Sequence, residues 1–308
     1  MAEAGPRIAV IGSSNMDLVI QAARIPAVGE TVLGGEFVMV PGGKGANQAV
    51  AAARLGADVL FIARLGRDLF ARRSMENFRD NGVDTRYVLE TAQVPSGVAL
   101  IMVDKDGGNS ILVAPGANSH LMPDDVHAAR EDIALCGAVV AQLEVPIETV
   151  EYTGELASEL GIPFILDPAP ACELNAELLS RVDVLTPNES EATALTGMHV
   201  HDRQTAAMAC ERVLAKGVKT VIVTMGAEGF VLGDDKGTAF VEPCKVEAVD
   251  STAAGDAFTG SLAMGIAMGQ SVRQASRLAG NVAALSVTKM GAQSSMPTRQ
   301  EIERFMEQ

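Results

Sequence analysis

Apolar runs typical of strands alternate with helical segments along the chain. The run RIAVIG (7–12) ends in glycine, as a buried parallel strand often does. The alanine-rich segment GANQAVAAARL (45–55) predicts a helix, and VLFIARLG (59–66) predicts the strand that follows it. A strand, a helix and a second strand in succession indicate a parallel sheet with right-handed crossovers.

From about residue 120 the alternation becomes regular. It predicts strands at AVVAQLE (138–144), PFILDPAP (163–170), VDVLTPNE (182–189) and TVIVTMG (220–226). Helices are predicted at 147–160, around 173–179, at 190–197, at 205–217, and over most of 254–288 and 298–307. The pattern therefore predicts a parallel sheet covered by helices on both faces, with ligand sites beyond the carboxyl ends of its strands.

Two patches of short strand-like pieces interrupt this alternation. The first contains LVIQ (18–21), TVLG (31–34) and EFVMV (36–40), separated by proline and glycine. The second contains VALIMVD (98–104) and NSILVAPG (109–116), joined by the turn KDGG. These pieces predict a small accessory sheet at one edge of the molecule.

Composition excludes several classes of partner. The 308 residues carry a formal net charge of −15, a surface that repels nucleic acid and anionic membranes. No apolar run reaches the roughly 18 residues of a membrane span, and the N-terminus lacks the regions of a signal peptide. The four cysteines lie far apart and the four histidines have no metal-ligand spacing. We expect a cytoplasmic protein with reduced thiols and no transition-metal site.

The stretch DSTAAGDAFTG places an aspartate at the start of a predicted apolar helix. The small residues Ala253, Ala254 and Gly255 leave backbone N–H groups open to a ligand, and such a helix start binds phosphate groups. A carboxylate beside a bound anion is unfavourable unless it accepts a proton, so Asp256 is a candidate general base next to a phosphoryl group. The alternative is an ordinary helix start with an acidic residue at its favourable end.

Two segments near the N-terminus carry candidate ligands for a polar small molecule. In GSSNMDLV, Asn15 and Asp17 share one face of an extended chain and suit a polyol, with an Asx turn as the alternative. In PGGKGANQ, glycines allow close backbone approach and Lys44 and Asn47 supply polar groups, with a plain turn into a helix as the alternative. The second segment is not a Walker A loop, and no GxGxxG follows the first strand.

Three further segments place polar groups after predicted strands. Glu144 ends AVVAQLE, a ligand position in such folds, although a solvated loop carboxylate remains an alternative. TPNESE carries Asn188 and Glu191 three residues apart, which suits hydrated Mg²⁺ or, alternatively, a helix N-cap. TMGAEG (224–229) follows a strand with a turn whose backbone is able to line a nucleotide.

Together these motifs resemble the ribokinase-like, or PfkB, family of sugar kinases. PGGKGANQAVAAARLGA and VDSTAAGDAFTGSLA are similar to the two signatures of that family. GSSNMD is similar to its N-terminal sugar segment and TPNESE to its NxxE element. SVTKMGAQSSMP (286–297) is similar to a C-terminal segment that completes a monovalent-cation site in members of the family. The resemblance covers about residues 7–297, with every landmark in order.

The resemblance implies a role for each matching position. Asp256 is implied as the catalytic base that takes the proton of the sugar 5-hydroxyl, while N–H groups of residues 253–255 receive the γ-phosphoryl group. The implied catalytic set is Ala253, Ala254, Gly255 and Asp256. The implied sugar-binding residues are Asn15, Asp17, Gly43, Lys44, Gly45, Ala46, Asn47, Glu144 and Asp256. The implied nucleotide-binding residues are Asn188, Thr224, Met225, Gly226, Ala227, Glu228, Gly229, Gly255 and Asn281.

ATP as co-substrate and two metal ions are also implied by the resemblance. The implied K⁺ site, mostly of backbone oxygens, comprises Asp250, Thr252, Ser286, Lys289, Gly291 and Ser295. Mg²⁺ is expected to be held through water by Asn188 and Glu191. The chain departs from the family in reading DSTAAGD where many relatives have DTTGAGD. Relatives often carry an asparagine near the adenine at the position of Gly280, whereas this chain has Asn281 one residue later.

For the fold, the resemblance implies a single ribokinase-like domain over residues 1–308, a three-layer α/β/α sandwich with a mostly parallel central sheet. A small β-sheet lid is implied from about 14–42 and 96–117, closing over the sugar and joining two subunits into a homodimer. The implied activity is ATP-dependent phosphorylation of the 5-hydroxyl of D-ribose to D-ribose 5-phosphate. A deoxyribokinase or a nucleoside kinase of the same family is the alternative, and Asn15 favours ribose because it is placed to bond the 2-hydroxyl.

Two other interpretations fit the sequence less well. A kinase of fructose 6-phosphate or tagatose phosphate needs several basic residues for the substrate's phosphate, and Lys44 stands alone in the sugar segments. A non-catalytic sugar-binding regulator has no use for a base such as Asp256 beside a phosphate site.

Overall fold

The structure is a computed structural model that describes residues 5–307. Thirteen strands lie within these residues and form two sheets. They are β1 (Arg7–Ile11), β2 (Asn15–Gln21), β3 (Phe37–Gly42), β4 (Asp58–Gly66), β5 (Asp84–Thr91), β6 (Gly97–Val103), β7 (Asn109–Ala114), β8 (Ala138–Ala141), β9 (Phe164–Leu166), β10 (Val184–Leu185), β11 (Thr220–Thr224), β12 (Phe230–Asp234) and β13 (Gly237–Val241).

The central sheet has nine strands in the order β13-β12-β11-β10-β9-β8-β1-β4-β5. The seven strands from β11 to β5 are parallel, and β12 and β13 add an antiparallel hairpin at one edge. β1 pairs with β4 on one side and with β8 on the other, so the order of strands reverses at β1. Loops diverge at such a reversal and leave a crevice at the carboxyl ends of the strands.

Eleven α-helices lie within residues 5–307 and cover the sheet. They are α1 (Lys44–Arg54), α2 (Leu69–Asp80), α3 (Pro123–His127), α4 (Arg130–Ile133), α5 (Ile147–Leu160), α6 (Ala176–Arg181), α7 (Glu189–Thr196), α8 (Arg203–Leu214), α9 (Ala254–Ala267), α10 (Val272–Ser286) and α11 (Arg299–Met306). None of these helices is both long and apolar enough to cross a membrane.

Two buried apolar clusters, one on each face of the central sheet, form the core. Successive residues of β1 alternate between them, with Ile8 and Val10 in one cluster and Ala9 and Ile11 in the other. The first cluster includes residues of α1, α9 and α10, and the second includes residues of α5 and α8. The predicted three-layer arrangement with a mostly parallel sheet is therefore confirmed.

The second sheet, called the small sheet below, has four strands in the order β3-β2-β6-β7. β2 pairs antiparallel with β3 and parallel with β6, and β6 pairs antiparallel with β7. The strand predicted at 31–34 was wrong, because this segment pairs with no neighbour and Leu33 is 93% exposed. The third piece of that patch begins at Phe37 and continues to Gly42.

Several boundaries differ from those indicated by the pattern. β8 ends at Ala141, so residues 142–144 form a loop rather than the end of a strand. The predicted helical region 254–288 is divided into α9 and α10 by a turn in which Gly269 has a φ of 79°. α2 was not predicted, and of its residues only Ala71, Ser74 and Phe78 are buried.

Candidate active site

The candidate site residues of the catalytic and sugar groups gather where β1 and β8 end. The loop after β1 leads into β2, the loop after β8 carries Glu144, and α1 and α9 begin beside them. The backbone N–H of Lys44 donates to Glu144 at 3.1 Å, and the Ser13 hydroxyl donates to the same carboxylate oxygen at 2.5 Å. The loop after β1, the start of α1 and the loop after β8 therefore form one hydrogen-bonded unit.

Asp256 lies in the first turn of α9 and is only 5% exposed. Its Oδ2 accepts a hydrogen bond from Asn47 Nδ2 at 2.8 Å, and its Oδ1 accepts one from Gln48 Nε2 at 3.1 Å. Burial raises the pKa of the Asp256 carboxyl, and although Lys44 and the two amides oppose this, the net shift is upward. A carboxylate with a raised pKa is a stronger base than an ordinary aspartate, as proton abstraction from an alcohol requires.

Ala253 has a left-handed backbone, with φ 59° and ψ 18°, and is the one non-glycine residue between 5 and 307 with a positive φ. It is the N-cap of α9, without a hydrogen bond from its side chain. An added Cβ at Gly255 would meet no protein atom within 4 Å, so the space beside this turn is open. Strained backbone concentrates at ligand sites. The Ala254 N–H donates to the Ser251 carbonyl at 3.2 Å, and the open space lies beside Gly255, the second residue of α9.

Asn15 and Asp17 project from the same face of β2 and are both buried. Asn15 Oδ1 accepts a hydrogen bond from Asn118 Nδ2 at 2.7 Å, which leaves the Asn15 amide nitrogen free to donate. Burial raises the pKa of Asp17 to about 7, and the negative charges of Glu144 and Asp256 add to this rise. The pair therefore offers a fixed donor and an adaptable acid beside the base.

The glycines of the GGKGANQ segment make room for these polar groups. A Cβ at Gly42 would lie 2.1 Å from Asp17 Oδ2. Gly43 has a φ of 90°, and a Cβ there would lie 2.6 Å from the backbone nitrogen of Asn15. The N–H of Ala46 donates to the Ser13 carbonyl at 2.8 Å, which holds the start of α1 on the loop after β1. Close backbone approach thus explains why this segment is rich in glycine.

Lys44 supplies the positive charge at the centre of the site. Burial by itself lowers the pKa of its ammonium group, but neighbouring carboxylates outweigh this effect and raise the pKa above its ordinary value. In order of effect they are Asp167, Asp256, Glu144 and Glu191. The site thus has four acidic groups around one basic group, although burial raises the pKa of Asp167, Asp256 and Glu191.

Asn188 and Glu191 form a capping box at the start of α7, the alternative that the sequence left open. Asn188 is the N-cap, and the Glu191 carboxylate accepts hydrogen bonds from the Asn188 backbone N–H and Nδ2, both at 2.8 Å. Burial raises the pKa of the Glu191 carboxyl despite these bonds. This N-cap holds the Glu191 carboxylate at the carboxyl end of β10. Glu191 is therefore able to cap the helix and still lie where a ligand is expected.

The other residues of the predicted nucleotide group lie on separate elements. Thr224 ends β11 and pairs with Asn188 through an isolated bridge, which brings these two positions together. Residues 226–228 form a 3₁₀ turn, and the Met225 side chain packs into the core, so only its backbone is available to a ligand. Asn281 lies on α10 and is half-buried.

The predicted cation residues come from two segments that the structure joins. Asp250 Oδ1 accepts from the backbone N–H and hydroxyl of Thr252 at 2.9 and 2.6 Å, and its Oδ2 accepts from the Gly291 N–H at 2.8 Å. Burial raises the pKa of Asp250, but these hydrogen bonds outweigh it and hold the pKa below its usual value. The Lys289 ammonium donates to Glu301 at 2.5 Å, away from the loop. The Ser286 and Ser295 hydroxyls bond to nearby helical carbonyls.

Residues 6–299 match the description "pfkB family carbohydrate kinase", which is almost the whole chain. The chain belongs to the pfkB family of carbohydrate kinases. Among its relatives, a ribokinase from Haemophilus influenzae is 42% identical over 300 residues, covering 97% of this chain and 98% of the relative. A deoxyribokinase from Salmonella typhimurium is 40% identical over 300 residues, covering 97% of this chain and 98% of the relative.

Solved structures of other members resemble this pfkB kinase over its whole length. The Arabidopsis thaliana ribokinase complexed with ribose and ATP has a TM-score of 0.91 and 32% identity, with 99% of each chain covered. A ribokinase from Thermotoga maritima has a TM-score of 0.88 and 37% identity, with 98% of this chain and 99% of that chain covered. These similarities confirm the ribokinase-like fold expected from the motifs.

Sequence reasoning missed several polar residues that this pfkB kinase places around Asp256 and its neighbours. Gln48 and Gln142 are fully buried and bonded to each other, and Asp167 follows β9 directly. Gln293 Nε2 donates to Asn47 Oδ1 at 3.0 Å, across 246 residues of sequence. Asp167 had a usable signal, because it is a carboxylate at the end of a predicted strand. Gln48 and Gln142 carried no such signal, apart from the position of Gln48 inside the PGGKGANQ motif.

Proposed function

We propose that this pfkB kinase transfers the γ-phosphoryl group of ATP to the 5-hydroxyl of D-ribose. The observation that carries the proposal is a buried carboxylate, Asp256, held by two amides one turn into a helix whose N-terminus faces open space. The printed names of relatives support ribose and ATP as its ligands, since ribokinases are among them and one neighbour is complexed with both.

In this mechanism Asp256 Oδ accepts the proton of the sugar hydroxyl as the oxygen attacks the γ-phosphorus. The N–H groups at residues 253–255 stabilise the charge on the transferring phosphoryl oxygens, and the positive end of α9 reinforces them. Lys44 adds a positive charge on the same side of the site. The protein contributes position and electrostatics, as is general for phosphoryl transfer.

The remaining hydroxyls of the sugar are assigned to the buried polar groups of β2 and the loops around it. Asp17 and Glu144 accept hydrogen bonds, and Asn15, Lys44 and Asn47 donate them. Gly43, Gly45 and Ala46 contribute backbone at the start of α1. The nucleotide is assigned to the strand ends carrying Asn188, Thr224 and residues 225–229, with Asn281 nearby on α10.

The charge of the site also leads us to propose that the kinase requires Mg²⁺. Four acidic groups surround one ammonium, and ATP would bring further negative charge that a divalent cation compensates. Asn188 and Glu191 would hold its waters from the start of α7. Bound Mg²⁺ would neutralise part of the charge of the phosphates.

We assign a monovalent cation, K⁺, to the loop joined by Asp250. The residues fit this ion, because Asp250 joins two chain segments through its bond from Gly291 and hydrogen bonds hold the pKa of its carboxyl below the usual value. Thr252, Ser286, Lys289, Gly291 and Ser295 would complete the site mainly through backbone oxygens. Bound K⁺ would brace the loop that leads into Ala253.

The small sheet is proposed as a lid on the sugar and as the interface of a homodimer, within a single domain that spans residues 1–308. One face of the sheet carries Asp17, which is assigned to the sugar site, so the sheet would contact the bound sugar. The opposite face carries the exposed side chains of Leu100 and Leu112. A cytoplasmic location is proposed from the free cysteines, two of which are buried.

A second substrate, 2-deoxyribose, is supported by the deoxyribokinase relatives. The contact between Asn118 and Asn15 favours ribose, because it fixes a donor where a 2-hydroxyl would accept. Release of ADP should be measured with ribose, 2-deoxyribose, fructose 6-phosphate and adenosine at equal concentrations. We expect the highest kcat/KM for ribose, and a higher value for another member of the panel would replace ribose with that substrate.

The variant Asn15→Met tests whether Asn15 recognises the 2-hydroxyl of the sugar. Without its donor the site leaves that hydroxyl unpaired, so the preference for ribose over 2-deoxyribose should fall by about 1–3 kcal/mol. The ratio of kcat/KM on the two sugars is compared in wild type and variant. If the ratio is unchanged, the 2-hydroxyl is recognised by another residue.

A further inference from the structure

A buried amide, that of Gln48 on α1, bridges two carboxylates at the centre of the site. Its Nε2 donates to Asp167 Oδ2 at 2.8 Å and to Asp256 Oδ1 at 3.1 Å. Its Oε1 accepts from Gln142 Nε2 at 2.6 Å. Gln48 and Gln142 are both 0% exposed, so water does not compete for these contacts.

The neighbours of this amide fix its orientation. A primary amide has two N–H donors and one acceptor, and ionised carboxylates only accept. Rotation of the Gln48 amide by half a turn would place its oxygen against two carboxylate oxygens and its nitrogen against a donor. Each N–H of Gln48 is therefore committed to one carboxylate.

This arrangement is maintained although it leaves a buried polar atom unpaired. Gln142 Oε1 has no hydrogen-bond partner among the described residues. It also occupies the space of a Gly12 side chain, because a Cβ there would lie 2.0 Å from this oxygen.

Two carboxyls in a dry site compete for protons unless a donor separates them. When nothing lies between them, such a pair shares one proton, and neither member is then a free base. The charged groups around Asp256 also include Lys44 on α1, Glu144 after β8, Asp17 on β2 and Glu191 on α7. Among the residues around Asp256, the uncharged side chain of Gln48 donates hydrogen bonds to both Asp256 and Asp167.

We propose that Gln48 is a positioning residue for the base: one N–H aligns the Asp256 carboxylate, and the other holds Asp167 so that the two carboxyls do not share a proton. Asp167 thereby stays behind the base as a second titratable carboxyl, whose pKa is raised by burial. Gln142 locks the amide that keeps the two carboxyls apart. The inference rests on the proposed function through the role of Asp256 as the base and through ribose as the assay substrate.

The test compares Gln48→Met with wild type in kcat, ribose KM and the pH dependence of kcat/KM. Methionine has a similar length and no donors. We expect kcat to fall about 10- to 100-fold, KM to stay within about threefold, and the acidic limb to move up by about one pH unit. Gln270→Met is the matched control, because Gln270 also has an unpaired buried Oε1 but follows the far end of α9. This control should keep the wild-type kcat and pH profile.

The double variant Gln48→Met/Asp167→Asn separates positioning from a purely structural role. Removal of the second carboxyl abolishes proton sharing, so the acidic limb should return towards wild type and kcat should recover at least threefold at neutral pH. Loss of a second buried hydrogen bond would instead lower activity further if Gln48 only supported the fold. A double variant no better than Gln48→Met, or a wild-type pH profile in Gln48→Met, overturns the proposal.

Should Gln48→Met fail to fold, Asp167→Asn alone tests the same link. With Gln48 in place, removal of the neighbouring carboxyl should move the acidic limb to lower pH, and an unmoved limb overturns the proposal. Failure of the proposed function is distinguished by wild type, which would then not phosphorylate ribose. The same variants would in that case be compared on the sugar that wild type does phosphorylate.

Discussion

Asp256 combines two requirements of a general base, burial and hydrogen bonds that fix its direction. Asp256→Asn removes the proton acceptor while leaving the shape of the site almost unchanged. We expect turnover to fall by about 10²–10⁴, the usual contribution of general base catalysis, with ribose binding nearly intact. Steady-state kinetics together with calorimetric titration of ribose provide the check. Turnover within threefold of wild type would remove Asp256 from this role.

Asp17 makes the stability of the ligand-free protein depend on pH. Because the pKa of this carboxyl rises from 3.8 to about 7 in the folded state, the folded protein keeps a proton that the unfolded chain loses across this range. The free energy of unfolding should therefore decrease as pH rises from about 4 to about 7, and Asp17→Asn should remove that part of the decrease. At pH 8 the variant should be more stable by about 1–3 kcal/mol, with no difference near pH 4.

Urea denaturation of wild type and Asp17→Asn at several pH values measures this effect. Ribose should be absent, since it would contribute its own binding free energy. Parallel pH curves for the two proteins would show that Asp17 is ionised in the free enzyme throughout the range.

At the scale of elements, the loop before α9 couples the predicted cation site to the phosphoryl site. Asp250 bonds to Gly291 on one side, and its chain continues through Thr252 to the left-handed Ala253. A cation at this loop should fix the N–H groups of residues 253–255 without touching the sugar. We expect higher turnover in K⁺ than in Na⁺ at matched ionic strength, and Asp250→Ala should largely abolish that difference.

Asp235→Ala is the control for this comparison, because Asp235 lies in the exposed turn between β12 and β13. It should keep the wild-type response to K⁺. Equal rates of wild type in K⁺, Na⁺ and a bulky organic cation would mean that hydrogen bonds alone support the loop.

The elements also show what the sequence was able to predict and what it was not. α5 begins and ends where the periodicity placed it, at Ile147 and Leu160, because its apolar face packs along the sheet. Asn15 and Asp256 were recognised from the sequence because both lie in motifs whose glycines and small residues let the backbone approach a ligand closely. Asn118 did not, because its role arises only from contact with a residue 103 positions away. The assigned roles of these residues stay predictions.

At the scale of the whole molecule, the small sheet has an exposed apolar face. Pairing aligns Met39, Leu18, Leu100 and Leu112 in one row across β3, β2, β6 and β7. Leu100 is 49% exposed and Leu112 is 70% exposed. Side chains directly opposite one another share a face, so the row forms a continuous apolar strip on the side away from Asp17. A second copy of the chain would cover it.

Leu112→Glu should therefore convert a dimer into a monomer, because it places a charge within the proposed interface. Sedimentation velocity at micromolar concentration measures the change. Leu135→Glu, at a leucine that is 68% exposed between α4 and β8, is the matched control and should remain dimeric. A wild-type protein that sediments as a monomer at these concentrations would exclude the interface.

The hydrogen bond from Gln293 to Asn47 has a consequence for the order in which the enzyme matures on the ribosome. The two residues are 246 positions apart, which at about 5–20 residues per second corresponds to about 12–50 s of synthesis. Asn15, Asp17, Lys44 and Glu144 all leave the ribosome before Asp256, and Asp256 leaves it before Gln293. On the roles proposed for these residues, a nascent chain acquires its sugar-binding groups well before its base, and the support of that base through Asn47 arrives last. The growing polypeptide would in this sense bind a sugar first and act as a kinase only after its final helices have been made.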